Sequence, residues 1–179
     1  AFGAPVLFVG APRDSSLRGT VHVVAFHQGG TVALHVDILA GGAHGPQPLA
    51  RFGSALSVVP DQTNDGHCDL LVGAQGEYEG RGEVYLVELS PFGVYPSNTR
   101  IIALNVPRAL LRYAFKPNGA GIGASLTYLG DVDGDGSGDV LVGAPNTVLQ
   151  DSPGAVGAGF LLGLGDDAAN VAPIVFGVL

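Results

Sequence analysis

Apolar and β-branched residues fall along this chain in short runs, each cut off by glycine, proline or a polar turn. The pattern predicts strands at 6–9, 19–26 and 31–39, then at 53–59, 69–74, 82–89 and 99–106, then at 123–130, 139–144, 155–164 and 171–178. Between them, 13–18 reads as a polar surface loop, 27–30 as a turn, 40–48 as a glycine-rich connection and 90–98 as a loop with two prolines. Segment 107–115 has the apolar spacing of a short helix, and an insertion loop fits it equally. The expected fold class is all-β, with about eleven strands.

The runs repeat. Phe52-Gly53, Asp61, Thr63, Asp65-Gly66, Asp69 and Leu71-Val72-Gly73-Ala74 recur 70 residues later as Ile122-Gly123, Asp131, Asp133, Asp135-Gly136, Asp139 and Leu141-Val142-Gly143-Ala144, the last followed by Pro145. A partial copy, Phe8-Val9-Gly10-Ala11-Pro12, precedes Leu71 to Gln75 by 63 residues, and Arg18-Gly19 precedes Arg81-Gly82 by the same interval. Internal repeats on this scale point to propellers or arrays.

Each full copy carries an acidic loop. In 131–139 the side chains of Asp131, Asp133, Asp135 and Asp139, with the carbonyl of Ser137, can turn hard oxygens inward, because glycines between them allow a tight loop. Ca²⁺ takes about 6–8 such oxygens. Four aspartates converging without a cation would repel one another. An EF-hand is excluded, since its twelfth position needs Glu and holds Val142, and the flanks read as strands. The second loop offers Asp61, Thr63, Asp65, Asp69 and the His67 carbonyl. Thr63 replaces a carboxylate by a neutral hydroxyl, so this second Ca²⁺ site is expected to bind more weakly.

An aromatic-Gly or Ile-Gly start, a DxDxDGxxD loop and a Gly-Ala-Pro end resemble the FG-GAP repeats of the integrin α-subunit β-propeller and its bacterial and protist relatives. The resemblance covers nearly the whole chain: a partial first repeat at 1–48, a second at 49–118 with a degenerate calcium loop and a following insertion, and a third at 119–179 with the full loop. It implies blades of four antiparallel strands, two complete and one partial, with Ca²⁺ between the first two strands of a blade. It further implies extracellular or cell-surface recognition rather than catalysis. Propellers close with about 4–8 blades, so three would leave open ends that seek a partner.

Composition narrows the function classes. With 46% hydrophobic and 13% charged residues the chain is too apolar to be disordered. A net charge of −8 with no basic cluster argues against nucleic acid, and bound calcium would neutralise part of it. The chain contains no methionine and reads as a processed or trimmed segment. The longest terminal apolar stretch, 171–179, falls far short of the roughly 20 residues of a membrane-spanning helix, so no span is expected. The single Cys68 excludes an intrachain disulfide and is expected as a buried thiol at a strand start.

No nucleophile elbow, phosphate loop or HExxH motif occurs, so the chain is not expected to be an enzyme. His22, His27, His35, His44 and His67 are scattered, and the first three fall on or beside predicted strands as partly exposed side chains. A three-histidine metal site would need a geometry that the spacing does not demonstrate. Asp166-Asp167 reads as a surface turn, and Glu77-Tyr78-Glu79 and Tyr95 as loop residues. Neither Arg-Gly pair continues to Asp, and both read as strand openings.

The leading expectation is a non-catalytic, calcium-binding module for protein–protein interaction, adhesion or surface assembly, meeting other proteins or copies of itself through open blade edges. A self-polymerising filament subunit and an accessory domain of an exported hydrolase are the alternatives.

Overall fold

The computed structural model describes residues 6–39, 46–62, 64–89, 101–104, 119–147, 157–164 and 173–174. The first sheet holds β1 (Val6–Ala11), β2 (Thr20–Phe26) and β3 (Val32–Leu39) in that order. The second holds β4 (Phe52–Val59), β5 (Asp69–Ala74), β6 (Glu83–Val87) and β7 (Ile101–Leu104), also in chain order. In the third, β8 (Ser125–Gly130), β9 (Asp139–Ala144) and β10 (Ala158–Gly163) are followed by the two-residue β11 (Pro173–Ile174). Among the described residues all pairings within the sheets are antiparallel and no sheet closes on itself, so the all-β expectation holds. Each of the eleven strands lies on a predicted run. The segment 107–115, the loop 90–98, Thr63, His44, Tyr95 and Asp166-Asp167 fall outside the described residues.

Two cores separate the three sheets. One joins Val21, Val23 and Ile38 of the first sheet to Leu70, Val72 and Tyr85 of the second. The other joins Leu71, Val84 and Leu86 to Val140, Val142 and Phe160 of the third. β5 and β9 have nearly the same sequence, DLLVGA and DVLVGA, yet every residue of β5 is buried whereas Leu141 and Gly143 of β9 are half-exposed. Position in the stack explains the difference, because among the described residues only the middle sheet has a neighbour on each face.

The repeated glycines are explained at the joints. A Cβ on Gly10 would overlap the carbonyl oxygen of Gly53, and one on Gly73 would overlap that of Gly123. The Gly-Ala end of one repeat therefore packs backbone to backbone on the aromatic-Gly or Ile-Gly start of the next. The Arg-Gly pairs stand directly before β2 and β6, as expected, and also serve the joint. The N–H of Phe52 donates to the Arg18 carbonyl at 2.8 Å, and that of Ile122 to the Arg81 carbonyl at 2.9 Å.

Three local expectations are corrected. Within 13–18, Asp14–Leu17 closes one helical turn instead of an open loop. Cys68 is exposed rather than buried. It stands just before β5, where neighbouring side chains point to opposite sides, and the inward side is taken by Asp69. Glu77, read as a loop residue, is fully buried.

Both carboxylate oxygens of Glu77 accept the N–H of Gln47, at 3.1 and 3.0 Å, tying the connection between the first two sheets to the turn after β5. Burial raises its pKa above the usual carboxylate value, against the lowering effect of the Gln47 N–H and the Tyr85 hydroxyl. A group whose pKa is higher folded than unfolded contributes stability below its unfolded pKa and loses it as pH rises through the folded value. In chemical denaturation, the stability of the wild type relative to Glu77→Gln is therefore expected to increase as pH falls from about 7 towards 4. A difference independent of pH would show that Glu77 titrates alike in both states.

Candidate metal centre

The acidic loop of the third sheet joins β8 to β9, where the chain must reverse within nine residues. Backbone N–H groups of the loop donate inward to its own carboxylates. Gly134 and Gly136 donate to the two oxygens of Asp131 at 2.7 and 2.9 Å, and Asp135 donates to Asp133 at 3.1 Å. The Ser137 N–H donates to Asp135 at 2.7 Å, and Val132 to Asp139 at 2.8 Å. The result draws one carboxylate oxygen each from Asp131, Asp133 and Asp139 within 4.8 Å of one another. Asp135 is not among the three that converge. Asp139 is 1% exposed while Asp131 and Asp133 face solvent, so the cluster has a floor and an open mouth.

The loop 61–69 is built the same way 70 residues earlier. Gly66 donates to Asp61 at 2.7 Å, His67 to Asp65 at 2.9 Å and Gln62 to Asp69 at 2.8 Å, matching the bonds of Gly136, Ser137 and Val132. Asn64 takes a left-handed φ of 57° where the third sheet has Gly134 at 81°, a conformation Asn tolerates better than most residues. The other oxygen of Asp69 is buried with no hydrogen-bond partner among the described residues. Burial pushes the Asp69 carboxyl above its usual pKa, opposed by the backbone N–H groups of Gln62 and Leu89 and reinforced by Asp65 and Asp61. The Leu89 N–H is close enough to ease the charge but not aligned for a full hydrogen bond to that oxygen, so a cation or a proton there would complete its coordination.

The donor set fits a hard divalent ion, because every side-chain donor is oxygen and the loops hold their carboxylates in place before any ion arrives. In the third loop Asp131, Asp133 and Asp139 would hold it. In the second loop Asp61, Asp65 and Asp69 are not drawn together as their counterparts in the third loop are, among the described residues. The tyrosine ring of Tyr128 lies over Gly138, its hydroxyl oxygen 2.7 Å from where a Cβ would stand.

The histidines divide. Strand pairing brings His22 and His35 of the first sheet together with Asp37, an arrangement invisible in the spacing. His22 Nδ1 lies 2.6 Å from Asp37 and His35 Nε2 lies 3.1 Å from the same oxygen. His27 is not part of the group. The β2–β3 register sets His22 opposite Asp37 and Val24 opposite His35, and only that register brings the three together.

No family model matches the chain. Human integrin alpha-D is 34% identical over 147 residues, covering 80% of this chain and 12% of that protein. Mouse integrin alpha-X is 32% identical over 164 residues, covering 83% of the chain and 13% of the relative, and human integrin alpha-10 is 33% identical over 151 residues, covering 80% and 12%. The chain thus spans about an eighth of the length of these curated relatives. The matches extend across the repeats whose joints and acidic loops are described above, and the chain belongs to the integrin α-like FG-GAP repeat family.

Proposed function

We propose that this chain is a non-catalytic, extracellular or cell-surface module in which calcium stiffens FG-GAP repeats for protein–protein interaction in adhesion. The observation that carries this reading is the convergence of Asp131, Asp133 and Asp139 in a loop already folded around their carboxylates. The third loop takes Ca²⁺ through these three with Asp135 and the Ser137 carbonyl. The second takes a weaker ion through Asp61, Thr63, Asp65, Asp69 and the His67 carbonyl. Calcium sites of extracellular modules bind at about 10⁻⁴–10⁻³ M, which suits a chain outside the cell. The repeats are 1–48, 49–118 and 119–179, and each sheet is a propeller-type blade whose full form has four strands. The relatives named integrin alpha support adhesion as the setting.

The edges are where partners bind. β1 is an edge strand of the first sheet, and its Val6, Leu7 and Val9 are exposed. An exposed apolar edge recruits strands or apolar surfaces from elsewhere, and copies of the same chain are one source. This observation favours the self-assembling subunit as the second reading.

Light scattering of the 179-residue chain with millimolar calcium and after chelation tests the proposal. Contacts through calcium-stiffened edges predict species larger than a monomer in calcium that shrink on chelation. A monodisperse, protease-resistant monomer under both conditions would contradict contact through the open edges.

A further inference from the structure

We propose that His22, His35 and Asp37 form a second class of metal site, for one divalent transition ion of the Zn²⁺ type, on the face of the first sheet turned away from the second. The proposal is independent of the calcium reading, since it uses other residues and other chemistry. Along β2, Val21 and Val23 point into the core shared with the second sheet, so alternation sends His22 to the opposite face. Asp37 is its direct cross-strand partner, and His35 is one pleat further along on the same face.

The three ligand atoms nearly have the spacing that a metal would impose. His22 Nδ1 and His35 Nε2 are 3.3 Å apart, and each faces the same Asp37 oxygen, at 2.6 and 3.1 Å. Ligands about 2.0–2.1 Å from a tetrahedral ion stand roughly 3.3 Å apart, so the cluster needs to open by only a few tenths of an ångström. The fourth position points to solvent. The ligands are 26%, 53% and 44% exposed for His22, His35 and Asp37, which leaves an ion a way in.

Asp14 supplies the outer support. Its carboxylate lies 4.0 Å from His22 Nε2, the ring nitrogen that does not face the cluster. In the ion-free structure Nδ1 is hydrogen-bonded to Asp37, and when an ion takes Nδ1 the proton would move to Nε2, where Asp14 would need to close by about 1 Å to accept it, the usual role of an acid behind a metal-binding histidine. Two imidazoles and one carboxylate with an open position suit zinc and its neighbours, whereas calcium prefers oxygen throughout. The second sheet uses the matching positions differently. Sixty-three residues on, His22 and Asp14 correspond to Tyr85 and Glu77, which are buried and hydrogen-bonded to each other, so the histidine set belongs to the first sheet.

The test is calorimetric titration of the whole chain with zinc chloride in about 10 mM calcium, at least ten times the dissociation constant expected of the third loop, so that calcium and not zinc fills it. The site predicts one equivalent of zinc, lost in His22→Gln and in His35→Gln and retained in His27→Gln and Cys68→Ser. His35 is half-exposed, so its variant keeps the fold. Asp14→Asn is expected to weaken binding by about tenfold without changing the stoichiometry. No zinc uptake by the wild type, which would leave a hydrogen-bonded histidine–aspartate pair only, would overturn the proposal. An isotherm unchanged in both the His22 and His35 variants would do the same.

Discussion

Gly73→Ala is expected to destabilise the chain by about 3 kcal/mol or more, lowering its thermal midpoint by about 6–12 °C. The added methyl would meet the carbonyl oxygen of Gly123, which is backbone and is anchored to the third sheet by the Gly123 N–H donating to the Gly143 carbonyl at 3.1 Å. Overpacking costs most where no side chain can swing aside. The matched control is Gly143→Ala, the same motif position one repeat later. Its methyl would meet only the Ser125 hydroxyl, the end of a side chain that can rotate away. That variant is expected to stay within about 0.5 kcal/mol of the wild type. Equal losses in the two variants would show that the glycine is retained for the strand itself and not for the joint between sheets.

The second large effect is on calcium. A ligand that binds only the folded state stabilises it by about 2.7 kcal/mol at a hundred times its dissociation constant, or about 5–10 °C for a chain of this size. With a dissociation constant of about 10⁻⁴–10⁻³ M that ratio is reached near 10–100 mM calcium, where the third loop is expected to add a shift of this order and the weaker second loop less. Asp133→Ala combined with Asp135→Ala should remove the share of the third loop. Both residues are exposed, so the apo variant should melt close to the apo wild type. An undiminished calcium shift in the variant would place the stabilising ion elsewhere.

Strands and acidic loops were legible because their causes are local. Apolar runs between glycines mark β4 to β6 and β8 to β10 wherever these sheets sit, and the spacing of the aspartates alone bends the loops inward. The glycine joints were visible as motifs, but their reason lies in contacts between residues 50 apart, such as Gly73 with Gly123. What depends on pairing or stacking was not legible. Glu77 is buried because the Gln47 N–H reaches it across the link between sheets, and Cys68 is exposed because its neighbour Asp69 takes the inward position. His22, His35 and Asp37 meet only once the β2–β3 register is known. Nothing in DLLVGA against DVLVGA tells which strand will be covered on both faces, since that follows from the number of neighbouring sheets.

Terbium luminescence excited through tyrosine tests the central claim most directly, because Tb³⁺ takes the same oxygen ligands as Ca²⁺ and is sensitised only by a nearby ring. Tyr128 lies against the third loop, and the corresponding residue beside the second loop is Val58, so the emission that Tyr128→Phe removes reports the third loop. The wild type is expected to show green emission that added calcium displaces. That emission is expected to be lost in Tyr128→Phe and in the Asp133→Ala, Asp135→Ala variant. Emission that persists in the aspartate variant, or none from the wild type, would contradict a metal ion held by Asp131, Asp133 and Asp139.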